Sequence, residues 1–151
     1  MLKKQFLTSN RTEIANTQHE WFYLDTLDRY HEGKKDVQPA YGPGDVQYKF
    51  NNKGFRCDDF DSWENHKYRI MFAGCSDTEG HGMPLEETWA KLFHSKVCEK
   101  LGETIPFWSI AHGAASTDHI VKHLYNEGSK LRPQVVIALL PHFERRERWN
   151  G

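Results

Sequence analysis

Hydrophobic and polar positions change their spacing along the chain, and this change divides it into two unlike parts. Residues 1–67 are rich in turn formers and aromatic residues, whereas residues 68–151 alternate short apolar runs with segments of helical spacing. Three apolar runs are short enough for strands, namely 68–73, 105–111 and 134–140. Apolar residues recur every three or four positions in two segments between them, 86–101 and 116–127. The second part therefore predicts the order strand, helix, strand, helix, strand.

Each predicted helix has recognisable ends and an expected inward face. The first is expected to end at Gly102 and to bury Trp89, Leu92, Phe93, Val97 and Leu101. The second is expected to start at a cap, Ser116 or Thr117, and to end before Gly128. Its inward residues are expected to be Ile120, Val121 and Leu124.

Alternating strands and helices predict a parallel sheet with right-handed crossovers. Ligand sites of such sheets lie beyond the carboxyl ends of the strands. In this chain those ends are residues 74–76, 111–113 and 141–143. We therefore expect the three tripeptides to share one edge of the sheet.

The first part, residues 1–67, is expected to form an irregular lobe that packs onto the α/β domain of residues 68–151. Residues 19–33 have the spacing of a helix that ends at Gly33. Alternation of apolar and polar residues over 46–50 predicts a half-buried strand, and 51–54 reads as a turn. Residues 55–57 are then expected to be the returning arm of a hairpin.

Composition narrows the class of protein. The 151 residues include 20 Lys and Arg against 21 Asp and Glu, a net charge of −1, which argues against a general nucleic-acid binder and a polybasic membrane-surface protein. No apolar run approaches the roughly 18 residues of a membrane span, and no signal peptide is visible. Three widely spaced cysteines fit a reducing compartment, so the cytoplasm is favoured, although the sequence leaves the location open. No cofactor or metal motif is apparent.

The first strand end carries a candidate nucleophile. Ser76 follows the apolar run within 74–80, on a sharp turn between glycines, where a hydroxyl is exposed for attack. The alternative is a polar turn in which Ser76 and Thr78 only bond backbone groups. The second strand end, 111–116, consists of small residues that let a backbone N–H approach a ligand, as an oxyanion hole requires, although they also allow close helix packing.

These segments together resemble the SGNH/GDSL hydrolase superfamily. Residues 74–80 resemble its first block, G-D-S-x-T-x-G, with Cys75 in place of the aspartate. Residues 113–118 resemble the second block, and 133–137 resemble the strand before the third. Residues 51–56 resemble the N-x-x-G-F-R lead-in of extended bacterial and phage-encoded members.

The resemblance implies a three-layer α/β/α fold with a flavodoxin-like parallel sheet, here incomplete. It also implies that Ser76 is the nucleophile and that the N–H groups of Ser76 and Gly113 form the oxyanion hole. Small acyl esters or O-acetylated carbohydrates are the substrates that the family suggests. The family's basic histidine lies in a D-x-x-H block, which we expect beyond residue 151. The open sheet edge is then expected to be covered by a C-terminal segment or by a second copy.

A non-catalytic binding or structural module of the same fold is the alternative. Phe143 stands where the family has an oxyanion-donating asparagine, and Asp77 would oppose a developing negative charge. Several residues near the expected edge are candidates for substrate contact: Asp77, His112, Ser116, His142 and Arg145. His142 is the favoured stand-in base over His81 and His112, and a metal site built from histidines is the weakest hypothesis.

Overall fold

The computed structural model describes Arg11 and residues 13–20, 28, 31–32, 40–42 and 44–145. Two short strands, β1 (Gln18–Glu20) and β2 (Gln47–Lys49), form an antiparallel pair. Three further strands form a parallel sheet: β3 (Ile70–Gly74), β4 (Trp108–Ser109) and β5 (Val135–Leu139). Their order in space is β4-β3-β5, with β3 in the middle. The predicted α/β class with a parallel sheet is confirmed.

Among residues 44–145 the helices are α1 (Ser76–Glu79), α2 (Trp89–Leu101), α3 (Thr117–His123) and α4 (Ser129–Leu131), with short 3-10 turns at Trp63–Asn65 and Leu85–Glu87. The spacing predicts α2 and α3, whereas α1 and α4 were not predicted. Ser116 is the N-cap of α3, as expected, because its hydroxyl accepts a hydrogen bond from the His119 amide. The end of this helix was wrongly predicted. A π-helical turn, Leu124–Gly128, joins α3 to α4, and Arg132 ends the helical segment with φ of +45°.

Both faces of the middle strand are buried, because successive side chains of a strand point to opposite sides. Met71 and Ala73 pack in one core with Ile120 of α3 and Leu131 of α4. The opposite face belongs to a second core, whose buried members are Ile70, Phe72, Ala90, Ile105 and Phe107. Helices therefore cover both faces of the middle strand.

The expected inward faces of the helices were partly wrong. Leu92, Phe93 and Leu101 of α2 and Val121 of α3 are between 39% and 56% exposed. Strand β5 is also exposed, with Val135, Val136 and Leu139 at 43% to 49%. Strand β5 forms the edge of the described sheet, so no further strand of the described residues covers its outer side.

The first part of the chain confirms one strand and corrects its partner. Val46, Tyr48 and Phe50 are buried together, as their alternation predicts. Residues 55–57 are not a returning strand, and β2 pairs with β1 instead. Phe55 instead packs in the core of the parallel sheet, whereas Tyr48 of β2 belongs to a separate cluster.

The predicted helix over 19–33 is only partly described. His19 and Glu20 belong to β1, so the helix cannot begin at residue 19. Residues 28, 31 and 32 are helical, and the rest of that span lies outside the described residues.

Candidate functional site

Strand β3 turns sharply into α1 at the carboxyl edge of the sheet. Gly74 makes the turn tight, since a Cβ there would lie 2.0 Å from Thr78 Oγ1. The amides of Thr78 and Glu79 both donate to the Cys75 carbonyl at 3.0 Å. Gly80, in the left-handed region with φ of +79°, ends the helix after four residues. The chain therefore folds back over its own start, as the glycines flanking 75–79 suggested.

Ser76 is the first residue of this short helix and is half-buried. Its carbonyl accepts hydrogen bonds from the amides of Gly80 at 2.8 Å and His81 at 3.1 Å. Among the residues that the structure describes, nothing is hydrogen-bonded to its hydroxyl. The hydroxyl is thus not used as a turn bond, which was the alternative interpretation of the sequence.

The centre of the site is Glu79, whose side chain is only 2% exposed. One carboxylate oxygen accepts a hydrogen bond from the Arg11 guanidinium. The other accepts from His81 Nε2 at 2.5 Å and from the Gly113 amide at 2.6 Å. A single buried carboxylate thereby joins three segments of chain that are far apart in sequence.

The charge of Glu79 is stabilised where it lies. Burial by itself raises the pKa of a carboxyl group. The hydrogen bond from His81 and the positive charge of Arg11 outweigh burial and lower the pKa of Glu79 to about 2. Glu79 is therefore ionised at neutral pH and accepts hydrogen bonds without donating any.

His81 is held in one orientation by this carboxylate. Because Glu79 only accepts, His81 Nε2 carries the proton of their hydrogen bond, and Nδ1 is the nitrogen with a free lone pair when the ring is neutral. The ring also lies edge-on to Tyr48, with centroids 6.4 Å apart, and its side chain keeps 28% of its exposure. This combination of a fixed ring and partial access to solvent suits proton transfer.

The Gly113 amide points at a negatively charged oxygen, as an oxyanion-hole donor must, but that oxygen belongs to Glu79. The Gly113 carbonyl accepts from His112 Nδ1 at 2.6 Å. Gly113 follows β4 and Ser76 follows β3, so the expected neighbours lie at the same sheet edge. The Glu79 contact was not foreseen.

His112 belongs to a group of three packed imidazoles. Its ring centroid lies 5.0 Å from that of His119 and 6.2 Å from that of His123, and the Nε2 atoms of His119 and His123 are 2.6 Å apart. Burial, together with repulsion from Arg11, lowers the pKa of His112 to about 4, so its neutral form is favoured. Across the described part of the chain, no set of three or more His, Cys, Asp or Glu side chains is arranged to hold a metal ion.

In the described structure, Glu79 accepts no side-chain hydrogen bond from the remaining candidate contact residues. Asp77 is exposed and faces the Cys75 thiol, with 3.6 Å between Sγ and Oδ2. Ser116 is buried and serves as a helix cap. His142 and Arg145 follow β5 on an exposed turn, where the Arg145 amide donates to the His142 carbonyl. His142 is 68% exposed and 3.8 Å from Glu144.

Arg56 secures the loop after α1, a role that the sequence did not reveal. Its guanidinium is buried and donates to four carbonyls, those of Gln47, Glu79, Gly80 and Met83, at 2.7 to 3.1 Å. It also lies 4.1 Å from the ring centroid of Tyr48, whose hydroxyl accepts from the Gly82 amide. The available signal was a lone arginine between the apolar residues Phe55 and Cys57.

Within the described ranges, no helix has both the length and the apolar character needed to cross a bilayer. No family model matches the chain, and no curated protein or solved structure is significantly similar to it. We therefore infer function from the geometry of the site and from the motif resemblance.

Proposed function

We propose that the protein is a serine hydrolase of the SGNH/GDSL type that cleaves small acyl esters or O-acetyl groups on carbohydrates. The observation that carries the proposal is that Ser76 and Gly113 follow adjacent parallel strands at the same edge of the sheet. Ser76 opens the helix after the middle strand, and the Gly113 amide is bonded to a carboxylate of that same helix. In the order β4-β3-β5, the first strand of the parallel sheet lies between the second and the third. This order agrees with the start of a flavodoxin-like sheet.

In the proposed reaction the Ser76 hydroxyl attacks the ester carbonyl carbon. The carbonyl oxygen becomes negatively charged and accepts hydrogen bonds from backbone amides. Ser76 N–H is suited to this because the first amides of a helix have no intrahelical acceptor. Gly113 N–H is the second donor, and it already binds an anionic oxygen at 2.6 Å. When substrate binds, this amide is shared with Glu79 or released from it.

The substrate class follows from the family resemblance rather than from a shaped cavity. Ser76 lies on a tight turn at the carboxyl edge of the sheet, which is compatible with a small acyl group. The SGNH resemblance adds O-acetylated carbohydrates, and neither assignment requires a cofactor. Nucleic acid and membrane surfaces are not expected partners of a chain with a net charge of −1.

Labelling by a fluorophosphonate, followed by peptide mapping, tests the nucleophile directly. We expect the label on Ser76 and the loss of both labelling and p-nitrophenyl acetate hydrolysis in Ser76→Ala. Ser95→Ala is the matched control, since Ser95 is an exposed serine on a different helix, α2. A folded protein that stays unlabelled at Ser76 would contradict the proposal.

A non-catalytic module of the same fold is the second candidate, and one observation favours it. The Gly113 amide is engaged by Glu79, so the oxyanion donor is already satisfied. This candidate expects Ser76→Ala to behave as wild type in every assay, with no labelling in either protein. The same labelling experiment therefore decides between the two.

A further inference from the structure

We propose that His81, oriented by Glu79, is the general base that accepts the proton of Ser76. The inference rests on the proposed hydrolase function and deepens it, because it supplies the base from residues beside the nucleophile. A serine hydroxyl is a weak nucleophile at neutral pH until an adjacent base takes its proton.

The fold of the chain places His81 next to Ser76. Helix α1 ends at Gly80, whose left-handed conformation turns the backbone toward the helix start. The His81 amide then donates to the Ser76 carbonyl at 3.1 Å. The His81 ring lies over Gly113, since a Cβ on Gly113 would be 2.3 Å from His81 Cε1. The backbone of His81 therefore contacts the nucleophile turn, and its imidazole contacts the proposed oxyanion donor.

Glu79 completes a set of three groups, in which Ser76 is the nucleophile, His81 is the base and Glu79 is the acid that orients the base. The carboxylate accepts from His81 Nε2 at 2.5 Å, which leaves Nδ1 as the basic nitrogen. Arg11 binds the other carboxylate oxygen and keeps Glu79 ionised. A buried carboxylate in this position stabilises the imidazolium that forms when His81 takes a proton. The Ser76 to Nδ1 hydrogen bond is expected to form with substrate bound, as catalytic hydrogen bonds often tighten only then.

The proton is returned in each half of the reaction. His81 Nδ1 takes the Ser76 proton as Oγ bonds to the acyl carbon, and it passes that proton to the alcohol oxygen as the ester bond breaks. Water then attacks the acyl-serine and gives a proton to Nδ1. The carboxylic acid leaves as its bond to Oγ breaks, and Oγ regains the proton from His81. No oxidant, metal or further reactant is needed.

The two rival histidines are less well placed for this task. His112 donates from Nδ1 to the Gly113 carbonyl, and its ring packs against His119 and His123. His142 lies on the exposed turn after β5 and has only the exposed Glu144 beside it, at 3.8 Å. Neither is oriented by a buried carboxylate in the described structure.

The test compares His81→Ala with two control variants in the full chain. We expect kcat for p-nitrophenyl acetate to fall about 100-fold or more, the usual contribution of a general base. Added imidazole should restore part of the rate, and the acid limb of the kcat/KM pH profile should disappear. His66→Ala is the matched control, because His66 also bonds a carboxylate, that of Asp61 at 2.8 Å. It should retain wild-type activity, and His142→Ala should as well.

The outcomes separate this inference from the proposed function. If wild type is labelled at Ser76 and His81→Ala keeps its rate and pH profile, the base is elsewhere and this inference is wrong, while the hydrolase stands. Loss of activity in His142→Ala instead would assign the base to the β5 turn. If wild type itself is never labelled, the hydrolase proposal fails. His81→Gln, which can still donate to Glu79, is the second variant if His81→Ala does not fold, and it should be folded but slow.

Discussion

The imidazole of His81 occupies the space into which a side chain at position 113 would project. A Cβ on Gly113 would lie 2.3 Å from His81 Cε1, 2.7 Å from His81 Nε2 and 3.2 Å from Glu79 Oε2. The first two distances are shorter than real contacts allow. The His81 ring can therefore occupy this position only because residue 113 has no Cβ. The orientation of His81 thus depends on a residue 32 positions away.

Gly113→Ala is expected to displace the His81 ring and weaken its hydrogen bond to Glu79. Overpacking of this kind costs about 1–3 kcal/mol of unfolding free energy. We also expect the rate of Ser76 labelling to fall. Urea denaturation and labelling kinetics measure the two effects.

Gly128→Ala is the control for that experiment. Gly128 has φ of −60° and nothing within 4 Å of an added Cβ. We expect it to stabilise the fold by about 0.4–1 kcal/mol, because alanine restricts the unfolded chain. Equal effects of the two variants would show that the His81 contact is not tight.

Glu79→Gln is expected to destabilise the protein most at neutral pH. The carboxyl pKa of about 2 in the fold lies below its ordinary 4.5, because His81 and Arg11 outweigh burial. A group with a lowered pKa contributes stability above its unfolded pKa and loses it as pH falls. We therefore expect a loss of about 2–3 kcal/mol at pH 7 that narrows between pH 4.5 and 2. Denaturant titrations of wild type and Glu79→Gln between pH 4.5 and 2 measure this difference. A difference in unfolding free energy that stayed constant with pH would contradict the prediction.

Arg56→Lys should weaken the attachment of the loop after α1. Lysine has three donors on one nitrogen and cannot reproduce a planar fork that reaches four carbonyls. Leaving buried carbonyls without donors costs about 1–3 kcal/mol. The unfolding free energy should fall by that amount, as a shift of the urea midpoint. Arg69→Lys is the comparison, since Arg69 is a more exposed arginine at the start of β3, and its change should be smaller.

His112 should make the fold sensitive to mild acid. Burial is the main cause that lowers the pKa of His112 from 6.5 to about 4. Between these pH values the unfolded chain binds a proton at His112, whereas the folded chain does not. Stability from this residue is complete above pH 6.5 and is lost as pH falls toward 4. We expect His112→Gln to flatten the dependence of the melting temperature on pH in that window. An unchanged slope would assign the acid sensitivity to other groups.

Local patterns in the sequence predicted the elements well but their surroundings less well. Alternation predicted β2, and short apolar runs bounded by glycine or proline predicted β3 and β5. The buried face of α2 was partly wrong, since Leu92 and Phe93 are exposed while Ala90 and His94 are buried. Periodicity shows which residues share a helix face, but it cannot show how much of that face another element covers.

The sequence by itself determined the order of the main strands and helices and the sharp turn at 74–80 that carries Ser76. These features depend on residues within a few positions of each other, through steric limits, capping and side-chain spacing. Only the tertiary structure decided the environment of Glu79, because its partners Arg11 and Gly113 lie 68 and 34 residues away. Such contacts arise when the sheet brings distant loops to one edge, and no local spacing encodes them.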